Sequence, residues 1–358
     1  MKFVHIADMH FDSPFATLSD KGNLGEQRRI EQRKIFKKII EYIKENKIEY
    51  LFIAGDLYEH KYIRKSTIEY INNLFKEIEN TKIFITPGNH DPFLKKSYYN
   101  NFDWNKNVYI FNSNIQKIET EDADIYGYGF DDFYCTNSGI ENIEIKNPEK
   151  INILIIHGTL NGANLEEMQY NSMNEKILEN KGFNYVALGH IHKPQILIRD
   201  NAAYAGALEP VDRNDLGDHG YIEGHLENGR LKTNFVPFAC RSYEQIILML
   251  REGSTQASLE DMLRADLASR GRMNIYRIII KGNRAPELLL LPEKLKSFGY
   301  VTEVLDESRP AYDLEEIQKK YKGTLIGDYI SYFLEKDRNL VEEKALYYGL
   351  QALLETSR

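Results

Sequence analysis

The chain has 358 residues, of which 42% are hydrophobic and 28% charged, and its formal net charge is −8. This composition is typical of a globular protein with one large domain and a smaller one. The acidic balance argues against a general polyanion binder, although bound dications can reverse the sign of a local acidic site. Cys135 and Cys240 form no CxxC pair and give no sign of a disulfide framework or a thiolate zinc site. No apolar run reaches membrane-spanning length and the N-terminus lacks a signal-peptide pattern, so we expect a cytoplasmic protein that does not contact a membrane.

Short apolar strands alternate with amphipathic helices in the first part of the chain. Strands are predicted at KFVHIA, IEYLFIAG and TKIFITPG, and a helix is predicted at STIEYINNLFKEIEN. A longer helix over residues 25–47 carries Phe36, Ile39, Ile40 and Ile43 at helical spacing, with charge on the other side. This β-α-β-α-β order predicts parallel neighbouring strands with helices outside them.

Closely spaced strands with few helices follow. They are predicted at NVYIFN, ADIYGYGF, KINILIIHG, NYVALGH, QILIR, AAYAG, GYIEGHLENG and RLKTNFVPF, which indicates a second sheet packed on the first. A boundary is predicted near PFACRSYEQ, so that residues 1–241 form the first domain and residues 242–358 a separate α+β module. The strands predicted in that module are EQIILML and NIYRIIIKG, and its helices are SLEDMLRADLASRG and segments near 312–321, 325–337 and 340–355.

Five short stretches place His, Asp or Asn where an apolar strand ends and a loop begins. They are IADMH (Asp8, His10), IAGDLYEH (Asp56), TPGNHD (Asn89, His90, Asp91), LIIHG (His157) and LGHIH (His190, His192). Singly, each has an ordinary interpretation as a turn, a cap or a satisfied core histidine. Five of the nine histidines are candidate site residues in these stretches, namely His10, His90, His157, His190 and His192. Because ligands gather at the carboxyl ends of strands in open sheets, we expect the five loops to meet at one edge.

The residue types in these loops suit a phosphoester-cleaving metal site. Two dications about 3.5–4 Å apart can neutralise phosphate oxygens and generate a hydroxide at neutral pH. Mixed carboxylate, amide and imidazole ligands favour manganese, iron or zinc over magnesium, which prefers oxygen.

The order Asp-x-His, Gly-Asp, Gly-Asn-His-Asp, His-Gly, Gly-His-x-His resembles that of the calcineurin-like metallophosphoesterases. The resemblance implies a four-layer αββα sandwich and two divalent metal ions, with manganese expected and iron or zinc as alternatives. It implies that metal one is bound by Asp8, His10, Asp56 and His192, and metal two by Asp56, Asn89, His157 and His190. A hydroxide bridging the metals would then be the nucleophile.

The same resemblance leaves His90 off the metals. It implies that His90 faces the scissile phosphate and either stabilises the transition state or protonates the leaving oxygen. Asp91 is expected to orient His90 through a hydrogen bond, the alternative being that it caps the following turn.

Residues 1–243 look most like the DNA-repair nuclease branch that contains SbcD and YhaO, on the strength of FVHIADMHFDSPF, AGDLYEH and the segment 203–243. That branch implies a 3′-to-5′ exonuclease and single-strand endonuclease, with residues 242–358 as a capping domain. It also implies DNA and an SMC-like ATPase of the SbcC/YhaN type as partners, and leaves a homodimer open. Two departures stand out: Glu59 occupies the place of a second catalytic histidine found in some of these nucleases, and no ATPase-docking tail is evident after ALYYGLQALLETSR.

Two segments next to the metal loops mix cations with tyrosines, HKYIRKS (60–66) and FLKKSYY (93–99). Cations there could meet phosphates while rings stack on bases, although a solvated helix start is an equally good interpretation. The DNA-contacting residues predicted from them are His60, Arg64, Lys65, Lys95, Lys96 and Tyr98. For His60 we also weigh a catalytic role against that of a surface-loop histidine.

Two other functions stay open at this point. One is a phosphoesterase of the same fold acting on a small phosphodiester, a nucleotide or a phosphoprotein, which the negative net charge slightly favours. The other is a non-catalytic scaffold of the same fold. The presence of every expected ligand and of His90 argues against the scaffold.

Overall fold

The computed structural model describes residues 1–18, 21–135, 139–160, 170–197, 201–227, 230–251, 253–335 and 337–356. Parts of three predicted elements, at residues 198–199, 228–229 and 336, lie outside this described part. The chain divides into two compact units, Met1–Tyr243 and Glu244–Arg358. No helix among the described residues is long and apolar enough to cross a membrane.

The helices and strands run in chain order as follows. The helices are α1 (Leu24–Glu45), α2 (Lys65–Lys76), α3 (Tyr98–Asn101), α4 (Glu175–Lys181), α5 (Gln256–Arg270), α6 (Pro292–Lys296), α7 (Leu314–Lys320), α8 (Leu325–Leu334) and α9 (Leu340–Thr356). The strands are β1 (Lys2–Ile6), β2 (Tyr50–Ala54), β3 (Lys82–Thr86), β4 (Val108–Ile110), β5 (Gln116–Glu119), β6 (Ala123–Gly127), β7 (Ile151–His157), β8 (Tyr185–Gly189), β9 (Gln195–Leu197), β10 (Ala202–Tyr204), β11 (Gly220–Glu227), β12 (Arg230–Pro237), β13 (Tyr243–Leu250), β14 (Ile275–Arg284), β15 (Tyr300–Asp306) and β16 (Arg309–Pro310). Short 3₁₀ helices lie at Ala16–Leu18 and Ile140–Asn142.

The first unit contains two sheets. In the described residues one sheet has the order β12-β11-β1-β2-β3-β4, and the other the order β5-β6-β7-β8-β10-β9. Strands β1 to β4 are parallel, as the alternation of strands and helices predicts, and β6, β7, β8 and β10 are also parallel. Parallel neighbours bring their carboxyl ends to the same edge of a sheet, which is the geometry that the site needs.

Alternation along the strands produces three hydrophobic cores. Val4 and Ile6 of β1 face α1 and α2, whereas Phe3 of the same strand faces the second sheet. In β7, Ile155 points into the core between the sheets, and Leu154 into a third core beneath α4. Successive side chains of a strand point to opposite faces, so each sheet is covered on both sides. This is the predicted four-layer αββα sandwich, and it is confirmed.

The second unit is α+β in composition. Its sheet has the order β13-β14-β15, with β16 paired to β14, and β14 runs parallel to β15 and β16. Leu259, Leu263 and Leu267 of α5 fall at i, i+4 and i+8 and pack on this sheet. A smaller apolar cluster joins α7, α8 and α9, with Ile330 and Leu350 fully buried in it.

The structure contains elements that the sequence pattern did not predict. They are the short helices α3, α4 and α6 and the strands β5, β15 and β16. All six have seven residues or fewer, so they carry little periodic signal. Strand β15 forms because it pairs with β14, a tertiary contact that local pattern does not record.

Candidate metal centre

The predicted loops follow the carboxyl ends of parallel strands in the two facing sheets. Asp8 and His10 follow β1, Asp56 follows β2, Asn89 and His90 follow β3, His157 ends β7, and His190 and His192 follow β8. Four of these residues adopt positive φ, namely Asp8 (51°), His10 (45°), Asp56 (52°) and His190 (103°). Residues other than glycine rarely adopt positive φ. Backbone strain at such residues concentrates at functional sites.

Three glycines let the loops approach one another closely. A Cβ on Gly55 would lie 2.2 Å from His157 Nδ1, and one on Gly88 would lie 2.3 Å from Asp56 Oδ1. A Cβ on Gly189 would lie 1.8 Å from the Ala54 carbonyl oxygen. These glycines belong to the Gly-Asp, Gly-Asn-His-Asp and Gly-His-x-His motifs. Because they lack a Cβ, the loops can approach closely enough for their polar side chains to converge.

Asp8, His10 and His192 form the first ligand group, in which one donor atom of each lies within 4.8 Å of the others. The Nε2 atoms of His10 and His192 are 3.1 Å apart. His10 Nδ1 is 2.8 Å from Glu59 Oε1, and His192 Nδ1 is 3.0 Å from Asp215 Oδ2. When both Nδ1 atoms donate to carboxylates, both Nε2 atoms present lone pairs to the same point, which suits a metal ion.

Asp56, Asn89 and His157 form the second ligand group. His157 Nε2 lies 3.0 Å from Asn89 Oδ1 and 3.3 Å from Asp56 Oδ2. Its Nδ1 donates to the Ala54 carbonyl oxygen at 2.9 Å, so Nε2 is the nitrogen that faces the two side-chain oxygens. Acceptors that face one another are stabilised by a cation between them.

Asp56 links the two groups. Its Oδ2 lies 3.7 Å from His10 Nε2 and 3.3 Å from His157 Nε2. The Asp8 and Asp56 side chains are both buried, and burying carboxylates without a compensating cation costs free energy. Burial raises the pKa of Asp8, whereas in Asp56 the charges of His157 and His10 outweigh burial and hold the pKa well below its usual value.

The protonation of the histidines follows from their neighbours. Burial lowers the pKa of His157 and of His192, but Asp56 outweighs it at His157 and Asp215 outweighs it at His192, and both values rise to about 9. A proton and a dication compete for the same Nε2 lone pair, so metal binding at these residues releases protons.

His190 lies beside the second ligand group. Its ring centroid is 5.2 Å from that of His157, and its other face stacks on Tyr170 at 4.9 Å. Its backbone N–H donates to Asp8 Oδ1 at 3.1 Å. Burial and the neighbouring His157 charge lower the pKa of His190 to about 3, so its imidazole is neutral, as a metal ligand must be.

His90 lies at the open side of the centre, with 44% of its side chain exposed. Its Nδ1 is 3.1 Å from Glu59 Oε2, and its ring lies 4.7 Å from the His10 ring. Burial lowers the pKa of His90, but the hydrogen bond to Glu59 and the Asp56 charge raise it to about 9.

The structure corrects the role expected of Asp91. Its carboxylate accepts hydrogen bonds from the N–H groups of Gly88, Asp56, Leu57 and Tyr58, and from the Tyr99 hydroxyl at 2.6 Å. Glu59, rather than Asp91, contacts the His90 imidazole. Asp91 is therefore the residue that ties the Gly-Asp loop to the Gly-Asn-His-Asp loop, and its buried position raises its pKa to about 6.

Glu59 and Asp215 were missed as site residues by the sequence reasoning. Glu59 uses both carboxylate oxygens, one on His10 and one on His90. Asp215 lies 23 residues after His192, and its Oδ2 also accepts from the N–H groups of Val211 and Asp212. Glu59 carried a usable signal, because it lies three residues after Asp56, whereas Asp215 carried none that separates it from other surface aspartates.

The residues predicted to contact DNA divide into two sets. Arg64, Lys95 and Lys96 are exposed on loops, and Lys65 is exposed at the first residue of α2. Tyr98 instead packs against the core beneath α2, with its ring 6.5 Å from Tyr58. His60 is half-buried, and its backbone N–H donates to the His90 carbonyl at 2.9 Å. Its ring contacts Phe133 edge-on at 5.8 Å, and it belongs to neither ligand group of the described residues.

Residues 1–194 match the family described as calcineurin-like phosphoesterases. The chain belongs to that family. It is 25% identical over 307 residues to the uncharacterized metallophosphoesterase YhaO of Bacillus subtilis (strain 168), across 81% of this chain and 74% of YhaO. This confirms the family resemblance and is consistent with the SbcD/YhaO branch.

Two solved structures are similar over part of the chain. The protein TT1561 of Thermus thermophilus has a TM-score of 0.38 at 9% identity, across 65% of this chain and 98% of that one. A dimetal phosphatase from Danio rerio has a TM-score of 0.39 at 8% identity, across 65% of this chain and 95% of that one.

Proposed function

We propose that this protein is a metal-dependent phosphodiesterase whose substrate is DNA, acting as a 3′-to-5′ exonuclease and a single-strand endonuclease. The observation that carries the phosphodiesterase proposal is the pair of ligand groups joined by Asp56, with His90 at their open side. Membership of the calcineurin-like phosphoesterase family supports it, and the similarity to the uncharacterized metallophosphoesterase YhaO is consistent with the SbcD/YhaO branch from which the nuclease activity is proposed.

The mixed carboxylate, amide and imidazole donor set fits two dications such as manganese, iron or zinc, of which we propose manganese. We assign Asp8, His10, Asp56 and His192 to one metal and Asp56, Asn89, His157 and His190 to the other. When bound, such ions neutralise phosphate oxygens and lower the pKa of a water molecule. Glu59, Asp215 and the Ala54 carbonyl would hold the imidazoles in the tautomer that leaves Nε2 free.

His90 would act on the substrate directly. Its ring is exposed at the mouth of the centre, and Glu59 fixes Nδ1, so that Nε2 is the atom available to the phosphate. An imidazolium there would stabilise charge on the phosphate or give a proton to the leaving oxygen. Loss of His90 should therefore abolish turnover without removing metal.

DNA as the substrate is supported by exposed cations in both neighbouring segments. Arg64 and Lys65 lie at the start of α2, and Lys95 and Lys96 lie on the loop before α3. We propose an SMC-like ATPase as a partner and a homodimer as the assembly on the family resemblance alone. A phosphoesterase for a small phosphodiester is the second candidate, which the net charge of −8 favours.

The test is hydrolysis of a single-stranded oligonucleotide and of bis-p-nitrophenyl phosphate, with manganese, iron or zinc, alongside elemental analysis of the purified protein. Manganese-dependent release of nucleotides that is lost in His90→Gln supports the nuclease. Hydrolysis of the small diester with DNA left intact would replace it with the second candidate. Absence of bound metal and of turnover with every dication would leave a scaffold of the same fold.

A further inference from the structure

Three aromatic side chains, Phe133, Tyr134 and Tyr170, form an aromatic edge beside the metal centre. Phe133 is 40% exposed and Tyr134 is 61% exposed, so both rings are accessible to a ligand. The edge adjoins the assigned ligand His190 through Tyr170, and it adjoins the Gly-Asp loop through His60. Phe133 faces His60 at 5.8 Å, and Tyr134 lies 6.2 Å from Tyr170, whose other neighbour is His190 at 4.9 Å.

The position of the aromatic edge is fixed by Asn171. Its backbone N–H donates to the Cys135 carbonyl at 2.6 Å, and its side-chain amide donates to the His157 carbonyl at 2.6 Å. The Tyr128 hydroxyl donates to the Asn171 side-chain oxygen at 3.0 Å. These bonds connect the loop that carries Phe133 and Tyr134 directly to the last residue of β7. The rings are therefore held at a set distance from the second ligand group.

The charge around the aromatic edge separates it from the cationic loops. Asp131 and Asp132 precede the rings and are exposed, and the Asp132 carboxylate accepts from the Phe133 N–H at 2.7 Å. Two carboxylates would repel the phosphate backbone of a substrate, so we do not expect this loop to bind phosphates. Arg64 and Lys95 have the charge to bind them. This loop can instead bind a flat uncharged ring, because its aromatic faces can stack on the ring and its carboxylates can accept hydrogen bonds from ring N–H groups.

We infer that the aromatic edge stacks the base of the nucleotide whose phosphate lies at the metal centre, which makes nucleoside phosphodiesters the preferred substrate class. This inference rests on the proposed function. The shared chemistry is a nucleobase joined to a phosphodiester, whether it belongs to a polynucleotide or to a free nucleotide ester. Phe133 and Tyr134 would then select substrates that carry a nucleobase. Both residues lie outside the five motifs that supply the metal ligands.

The first test uses two substrates with the same leaving group, thymidine 5′-(p-nitrophenyl phosphate) and methyl p-nitrophenyl phosphate. We expect the wild-type kcat/KM to be about ten-fold or more higher for the thymidine ester, as stacking of one base on an aromatic side chain predicts. Tyr134→Leu and Phe133→Leu, which keep apolar bulk without a flat face, should each reduce that ratio several-fold. Tyr134→Phe should keep it, and Tyr348→Leu, at an equally exposed tyrosine of the second unit, is the matched control.

The second test needs no turnover. Binding of an oligonucleotide with a terminal 2-aminopurine to His90→Gln should quench the base fluorescence, and the added Tyr134→Leu change should remove the quenching. The same measurement with 2-aminopurine riboside 5′-monophosphate separates the two sources of the base. Quenching by the oligonucleotide alone assigns the edge to polynucleotides, and quenching by both assigns it to nucleotides in general.

The outcomes separate this inference from the proposed function. If wild type cleaves the methyl ester and the thymidine ester equally well, and the Leu variants change neither, the phosphodiesterase stands and the aromatic edge does not bind bases. If it cleaves neither ester but the Tyr134-dependent quenching occurs, base binding stands and the proposed reaction fails. A ratio that falls equally in Tyr348→Leu would overturn the assignment to the edge.

Discussion

The two ligand groups hold their histidines in different ways. His10 and His192 in the first group are each backed by a side-chain carboxylate, from Glu59 and Asp215. His157 in the second group is backed by a main-chain carbonyl, that of Ala54. A carboxylate makes the imidazole a more basic ligand than a neutral carbonyl does, so the first group should bind its metal more tightly. The position of His157 in the second group depends on a main-chain carbonyl, which no substitution removes. A substitution can disturb this position by adding a Cβ at a glycine that contacts His157.

The largest effect is expected from removing what the two groups share. Asp56→Asn replaces the bridging carboxylate by an amide, and both metals should be weakened, with activity falling by more than about 100-fold. Manganese should raise the Tm of the wild type through binding to the folded state, and this shift should be lost in the variant. The exposed Asp103 gives the control Asp103→Asn, which should keep the shift. Two metals retained in Asp56→Asn would sink the bridging assignment.

Gly55→Ala tests the second group through the backbone. Gly55 has a φ of 90°, and an added methyl group would meet the His157 ring. We expect the free energy of unfolding to fall by about 2–4 kcal/mol and one metal to be lost preferentially. Gly22→Ala is the control, because Gly22 also has positive φ but open space around its Cβ. Equal damage in both variants would mean that backbone strain alone, and not the contact with His157, explains the effect.

Glu59→Gln tests the first group and His90 together. We expect about 10–100-fold weaker binding at one metal, because Gln cannot accept from both imidazoles as a carboxylate does. The activity loss should exceed what added manganese can restore, since His90 also loses its partner. Glu77→Gln, at an exposed glutamate on the C-cap of α2, is the control. Full rescue by manganese would show that Glu59 serves His10 alone.

Asp215→Asn should have the smallest effect. The amide keeps one oxygen for His192, and the Val211 and Asp212 N–H groups still fix its position. We expect a loss of metal affinity of about ten-fold, fully restored by excess manganese, with kcat unchanged at saturation. A titration of activity against manganese concentration checks this. A lower kcat at saturating manganese would contradict this prediction, because it would show that Asp215 affects the reaction itself and not only metal binding through His192.

The sequence was informative wherever a pattern repeats along the chain. The short apolar runs at β1, β2 and β7 predict strands, and the end of each run predicts where the ligands lie. The partners of those ligands were not predictable, because Asp215 reaches His192 through folding of a loop without regular structure. Asp91 shows the same limit. The family resemblance implied that Asp91 orients His90, but in the structure the Asp91 carboxylate binds the buried N–H groups of the Gly-Asp loop.

The alternation of β1 has a consequence for folding. His10 and Asp8 reach the centre only if Phe3 faces the second sheet and Val4 faces α1, and a slip of one residue would exchange the two faces. The same holds for β7, where Ile155 and Leu154 lie in different cores just before His157. Strand register must therefore be set by hydrophobic sorting before the ligands can converge. Metal uptake would then report on correctly folded molecules, since a misregistered chain presents no complete set of donors.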